Sequence, residues 1–246
     1  MKSARPKVLH TLAGRSLLQH VLNAVAGLGA DRTLVIVGYG AEAVRTQVAE
    51  HGALGVLQEP QLGTGHAVQQ AVPHLPDAGT TLILNGDVPM IEADTAAALV
   101  AACGGTKLAL LTVELSDPTG YGRIVRDPGQ GDAVKAIVEH KDASAAQRAI
   151  REVYTGMLAA PTAWLKRSVM SLKNDNAQRE YYLTDIVAIA EGERLPVLAV
   201  PAHDERDFEA HVADSGDDAF GDDVAAHDAA EDVDEDALHR RIGQDD

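Results

Sequence analysis

The 246 residues carry a formal charge of −16, one cysteine and only 3% aromatics. A single cysteine excludes a disulfide framework, and no apolar run approaches the ~18 residues that a membrane helix needs. The acidity is local: residues 203–246 hold 17 Asp+Glu against 3 Arg, so −14 of the −16 falls there and the rest is nearly neutral, which favours no nucleic-acid partner. No secretory segment opens the chain, so the expected compartment is the cytoplasm.

Apolar residues Leu17, Leu18, Val21, Leu22, Val25 and Leu28 recur at helical spacing, which predicts a helix over 16–28. The β-branched run 33–37 (TLVIV), closed by Gly38, predicts a buried strand. A helix over 41–50 follows, then a short strand at Val56–Leu57, a glycine loop and a helix over 65–72. The run 80–84 (TTLIL) predicts a second buried strand, which ends at Asn85-Gly86-Asp87. A helix over 93–102, ending at the structural thiol Cys103, leads to a strand over 108–113. Strands at 133–139 and 152–159 alternate with helices at 143–151 and 161–172, and a helix over 184–190 and a strand over 195–200 close the readable part. The alternation up to residue 113 predicts an α/β fold of Rossmann-like type, with a mostly parallel sheet covered by helices, and the looser pattern from Asp117 onward suggests an α+β half that caps it. The expected organisation is one domain over 1–202 and an acidic segment over 203–246. That segment has almost no Leu or Ile, too little apolar surface to offset its ordering entropy, and is predicted disordered.

Three glycine-bearing segments could carry chemistry. In Gln58-Glu59-Pro60-Gln61-Leu62-Gly63-Thr64-Gly65-His66, backbone amides at a helix start could hold a base or a phosphate; such loops also serve turn geometry alone. In Asn85-Gly86-Asp87-Val88-Pro89, an acid at the carboxyl end of a buried strand lies where doubly wound folds bind ligands. Asp87 could hold Mg²⁺ on phosphate oxygens, or cap the next helix. Asp117-Pro118-Thr119-Gly120-Tyr121-Gly122-Arg123 permits close backbone approach to a ligand, or a tight turn. Glu139-His140-Lys141 ends a strand with a carboxylate that could accept from sugar hydroxyls, or is simply a solvated strand end. Lys7 could meet phosphate as a point charge, or stand exposed near the terminus. The histidines show no metal spacing, so zinc is not expected.

Taken together and in order, these segments and Asn176-Ala177-Gln178…Glu180-Tyr181-Tyr182-Leu183-Thr184-Asp185 resemble the uridylyltransferase domain of bacterial N-acetylglucosamine-1-phosphate uridylyltransferase/glucosamine-1-phosphate acetyltransferase, over residues 5–200. The resemblance implies transfer of a uridylyl group from UTP to N-acetylglucosamine 1-phosphate, with Mg²⁺, giving UDP-N-acetylglucosamine for cell-wall synthesis. It implies Lys7 on phosphate, Gln58 on uracil with Gly63 and Thr64 beside the nucleotide, and Asn85, Gly86 and Asp87 at the centre, Asp87 on the metal. Gly122 and Glu139 would bind the amino sugar, with Tyr154, Tyr182 and Thr184 bordering that pocket.

The chain departs from the family pattern in four places. The family's first strand and its glycine-rich loop, which bears the catalytic arginine, have no counterpart ahead of Lys7. Phe208–Asp214 stands where a metal-holding Gly-Val-Asn is expected, within an acidic stretch that resembles out-of-frame coding. Tyr154 replaces an asparagine that touches the sugar. The hexapeptide repeats of the β-helix domain are absent, so an oligomer is not expected. A catalytically inactive nucleotide-binding remnant, or a transferase for another sugar 1-phosphate, therefore stays open.

Overall fold

A computed structural model of the chain describes residues 5–38, 40–127, 129, 133–176 and 178–202. The acidic segment 203–246, expected to be disordered, lies outside the described residues, and with it the expected site of the Gly-Val-Asn motif.

Strands β1 (Thr11–Leu12) and β2 (Arg15–Ser16) form a hairpin whose turn holds Ala13 and Gly14 at positive φ. Ser16 caps α1 (Leu17–Val25): its hydroxyl accepts from the Gln19 N–H, and the Gln19 side chain accepts from the Ser16 N–H. This reciprocal pair satisfies donors that a helix start leaves open. Strands β3 (Leu34–Val37) and β4 (Leu54–Leu57) pair in parallel, connected by α2 (Ala41–Glu50). Next come α3 (Thr64–Ala71), β5 (Thr80–Ile83), α4 (Ala93–Cys103) and β6 (Leu108–Glu114). The chain continues through β7 (Arg123–Asp127), β8 (Ala133–Val138), a one-turn α5 (Ala145–Arg148) and β9 (Glu152–Pro161). Helices α6 (Thr162–Met170) and α7 (Ile186–Gly192) precede the last strand, β10 (Val197–Pro201).

The main sheet runs β10-β6-β9-β7-β8, with β5 also on β9. Strand β10 is parallel to β6, while β9 is antiparallel to β5, β6 and β7. Strands β5, β6, β7 and β10 thus share one direction, as the alternation of strands and helices implies. The expected parallel pairing needs correction at β9, which is reversed among them, and at the antiparallel β7–β8 pair. A strand's direction follows from the path of its connections, which its own residues do not encode.

Alternation along β6 buries both sheet faces. Leu108 and Leu110 join Leu158, Trp164, Leu165, Ile186 and Val187 under α6 and α7. Ala109, Leu111 and Val113 join Met157, Val21 of α1 and Leu99 of α4 on the opposite face. A third cluster, including Leu18, Leu22, Val37, Val44 and Val48, holds β3 to α1 and α2. Among the described residues β3 pairs only with β4, and β5 only with β9. No described helix is long and apolar enough to cross a membrane.

Candidate functional site

Ligands of open α/β sheets bind outside the carboxyl ends of strands. Gln58 directly follows β4, and Asn85-Gly86-Asp87 lies just beyond β5. Lys7, in the short 3₁₀ turn Lys7–Leu9, places its Nζ 3.5 Å from Asp87 Oδ2. The N-terminal segment is thereby tied to the β5 loop, with a cation and a carboxylate side by side.

Asn85 Nδ2 donates to the Thr155 carbonyl of β9 at 3.1 Å. The contact depends on Gly156, where a Cβ would lie 2.4 Å from Asn85 Nδ2 and φ is +86°. One residue earlier, the Tyr154 N–H donates to the Gly122 carbonyl at 2.9 Å. Gly122 packs against the end of β8, and a Cβ there would sit 2.8 Å from Ile137 Cγ2 and 3.5 Å from Glu139 Oε2. Glu139 Oε1 accepts from the Thr184 hydroxyl at 2.9 Å. Leu183 N–H reaches back to Thr64 Oγ1 at 3.0 Å, and the Tyr182 hydroxyl donates to Gln178 Oε1. Asn85, Gly122, Glu139, Tyr154, Thr184 and Thr64 are thus joined by contact or by adjacency in the chain. Gly86 links Asn85 to Asp87; Gly63 adjoins Thr64 and accepts from Gln58 Nε2.

Two expectations change at this surface. The glycines at 63 and 65 do not leave their loop open to a ligand on every side. Gly65 N–H donates to the Tyr181 carbonyl at 2.7 Å, and Tyr181 N–H donates to the Leu62 carbonyl at 2.9 Å. A Cβ at either glycine would fall 2.8 Å from Tyr181 O, so their smallness serves this backbone packing. Tyr154 lies in the core at 3% exposure, and its hydroxyl has no hydrogen-bond partner among the described residues. It underlies the surface that Glu139 shares with Thr184 and does not stand on it.

Electrostatics follow from burial. Desolvation raises the Glu139 carboxyl above its ordinary value, against the opposing hydrogen bond from Thr184. Burial also pushes the Tyr154 and Tyr182 phenols up, with the Glu139 charge adding to both. Asp185 is raised by burial and then by Asp175 and Asp142. Among the described residues no group of three or more His, Cys, Asp or Glu suits a metal ion. Asp87 offers a carboxylate beside Lys7, a donor set that fits a divalent cation borne on phosphates and water but not a protein cage.

Sequence reasoning gave His66 no role of its own and did not single out Gly156. Gln58 Nε2 lies 3.1 Å from His66 Nδ1, and desolvation lowers the pKa of His66. The available signal is spacing: His66 sits in the first turn of α3, whose N-cap is Gly63. Nothing local marks Gly156, because its neighbour Asn85 is distant in sequence.

Residues 1–148 match the family of MobA-like NTP transferase domains. The chain is 68% identical over 204 residues to the bifunctional protein GlmU of Methylibium petroleiphilum, covering 81% of this chain and 44% of that protein. It is 56% identical over 207 residues to the GlmU of Polaromonas naphthalenivorans, again with 81% and 44% covered. The chain therefore spans less than half the length of these curated relatives. A crystal structure of UDP-glucose pyrophosphorylase complexed with UDP-glucose has a TM-score of 0.65 at 13% identity, covering 85% of this chain and 89% of that one, a likeness of fold. The chain belongs to the MobA-like NTP transferase family and, within it, to the nucleotidyltransferase part of the GlmU proteins.

Proposed function

We propose that residues 1–202 form a sugar-1-phosphate uridylyltransferase, which converts UTP and N-acetylglucosamine 1-phosphate to UDP-N-acetylglucosamine and pyrophosphate. A phosphate oxygen of the sugar phosphate attacks the α-phosphorus of UTP. The bond from that phosphorus to the bridging oxygen breaks, and pyrophosphate leaves. No covalent nucleophile and no proton transfer are needed, so the protein's task is to align two anions and spread their charge.

Lys7 meets phosphate oxygens as a point charge. Asp87 is the residue that would hold Mg²⁺, whose chemistry is to neutralise the charge that builds on those oxygens. Gln58 reads the uracil edge, with Gly63 and Thr64 beside it, and Asn85 and Gly86 line the path to the phosphates. Gly122, Glu139 and Thr184 receive the amino sugar, Tyr182 closes the pocket margin, and Tyr154 supports it from below.

The observation that carries this reading is the run of hydrogen bonds and chain neighbours from Gln58 through Gly63-Thr64, Leu183-Thr184 and Glu139, which ends where Glu139 packs beside Gly122. It sets an amide suited to a base and a carboxylate suited to sugar hydroxyls on one surface. The test is Mg²⁺-dependent pyrophosphate release by the full chain from UTP with N-acetylglucosamine 1-phosphate, run beside glucose 1-phosphate. Release favouring the amino sugar supports the reading. Release favouring glucose 1-phosphate reassigns the sugar, and UTP binding without release marks a nucleotide-binding chain lacking turnover.

A further inference from the structure

Gln58 has an amide whose two ends differ in freedom. Its Nε2 lies 3.0 Å from the Gly63 carbonyl and 3.1 Å from His66 Nδ1. The carbonyl is an acceptor only, so the amide cannot be turned round without setting two oxygens against each other. With Nε2 fixed as the donor, His66 Nδ1 must be the bare nitrogen and Nε2 of the ring the protonated one. Gln70, four residues along α3, lies 3.1 Å from ring Nε2. The Nε2-protonated ring requires a half-turn of the Gln70 amide, which offers an oxygen to the ring proton. That turn gives up the donation from Gln70 Nε2 to the His66 carbonyl, at 3.3 Å longer than the 3.0 Å contact that fixes Gln58. Burial holds His66 below its ordinary pKa and so favours the neutral ring that this arrangement requires. Tyr181, its ring centroid 6.2 Å away, flanks the imidazole.

Both amide protons of Gln58 are then committed to the protein. Its Oε1 receives no hydrogen bond among the described residues, and the side chain remains partly exposed beyond β4. We infer that His66 is a positioning residue which locks the Gln58 amide with its oxygen toward the base, and so selects uracil against cytosine. The inference rests on the reading of Gln58 as the contact to the base. Uracil carries an N3–H donor, whereas cytosine carries a bare N3 at the same ring position. A fixed acceptor attracts the first and repels the second. Leaving such a pair unmatched weakens binding about tenfold or more.

The test is equilibrium binding of UTP and of CTP, each with Mg²⁺, to the full chain and its variants. The wild type is expected to bind UTP at least about tenfold more tightly than CTP. His66→Phe keeps an aromatic ring but no acceptor, leaving Gln58 held by Gly63 alone. Its UTP/CTP ratio should fall about fivefold or more, with CTP binding strengthened, a gain that mere structural damage does not produce. His66→Asn places Oδ1 where Nδ1 stood and should restore the ratio to within about twofold of wild type. Long-range ¹H–¹⁵N NMR of the wild type should find His66 with its proton on Nε2, which keeps the inference testable if a variant misfolds. A proton on Nδ1, or an unchanged ratio in His66→Phe, overturns it while uracil reading by Gln58 stands. A wild type without preference for UTP removes that reading and the inference together.

Discussion

Glu139 is held half-buried between Gly122 and Thr184, with its carboxyl raised above the ordinary value of 4.5 by desolvation. A raised carboxyl binds its proton more tightly in the folded chain than in the unfolded one. Its contribution is therefore most favourable below the ordinary value and is lost as pH rises through the folded-state value. Glu139→Gln keeps an oxygen for the Thr184 hydroxyl and removes the buried charge. Thermal melts should show the variant at least as stable as wild type at pH 7, with a flatter fall in stability as pH rises above about 4.5. Binding of the sugar phosphate should weaken in the same variant. Gly156 makes a second demand at this scale: alanine there would meet Asn85 Nδ2 at 2.4 Å and sit at φ +86°. Urea denaturation of Gly156→Ala should show a loss of about 1–3 kcal/mol, with Asn85 displaced from the Thr155 carbonyl.

At the level of elements, β7 is joined to β9 by one ladder pair, Arg123↔Val153. The joint is strengthened by Arg126, whose Nε and Nη2 lie 2.8 and 2.6 Å from the two Glu152 carboxylate oxygens. These side chains are 33% and 18% exposed, so solvent screens the pair in part. Glu152→Ala should cost about 1–2 kcal/mol. Hydrogen exchange should quicken along Arg123–Asp127 before it changes elsewhere. The same strand shows where a sequence stops being legible. TLVIV and TTLIL announce β3 and β5 because a short β-branched run bounded by turn residues has few other uses. RIVRD, with charges at both ends, does not announce β7, since its place depends on partners in β8 and β9. The pairing of the glycine loop with Tyr181 is equally hidden, because it joins segments far apart in the chain. The order of the expected motifs lies in the sequence; the contacts of Gln58 with Gly63 and His66 required coordinates.

For the whole molecule, the three apolar clusters are unequal partners. Those on either face of β6 and β9 share a sheet, whereas the third is built from β3, α2 and one side of α1, with β4 held through its pairing with β3. Each of β3 and β5 has only one strand partner among the described residues. Regions with fewer buried contacts open at lower free energy than the rest. Amides of Leu34–Val37 and Leu54–Leu57 should therefore exchange by a lower-energy opening than those of β6 and β9, measured by native-state hydrogen exchange in low urea. Trp164, the only tryptophan in the sequence, is 6% exposed in the cluster under α6 and α7, and its indole N–H donates to Glu193 Oε2 at 2.8 Å. Its emission consequently reports on that half alone: a fluorescence melt would register the main sheet coming apart and stay silent while β3 and β4 loosened.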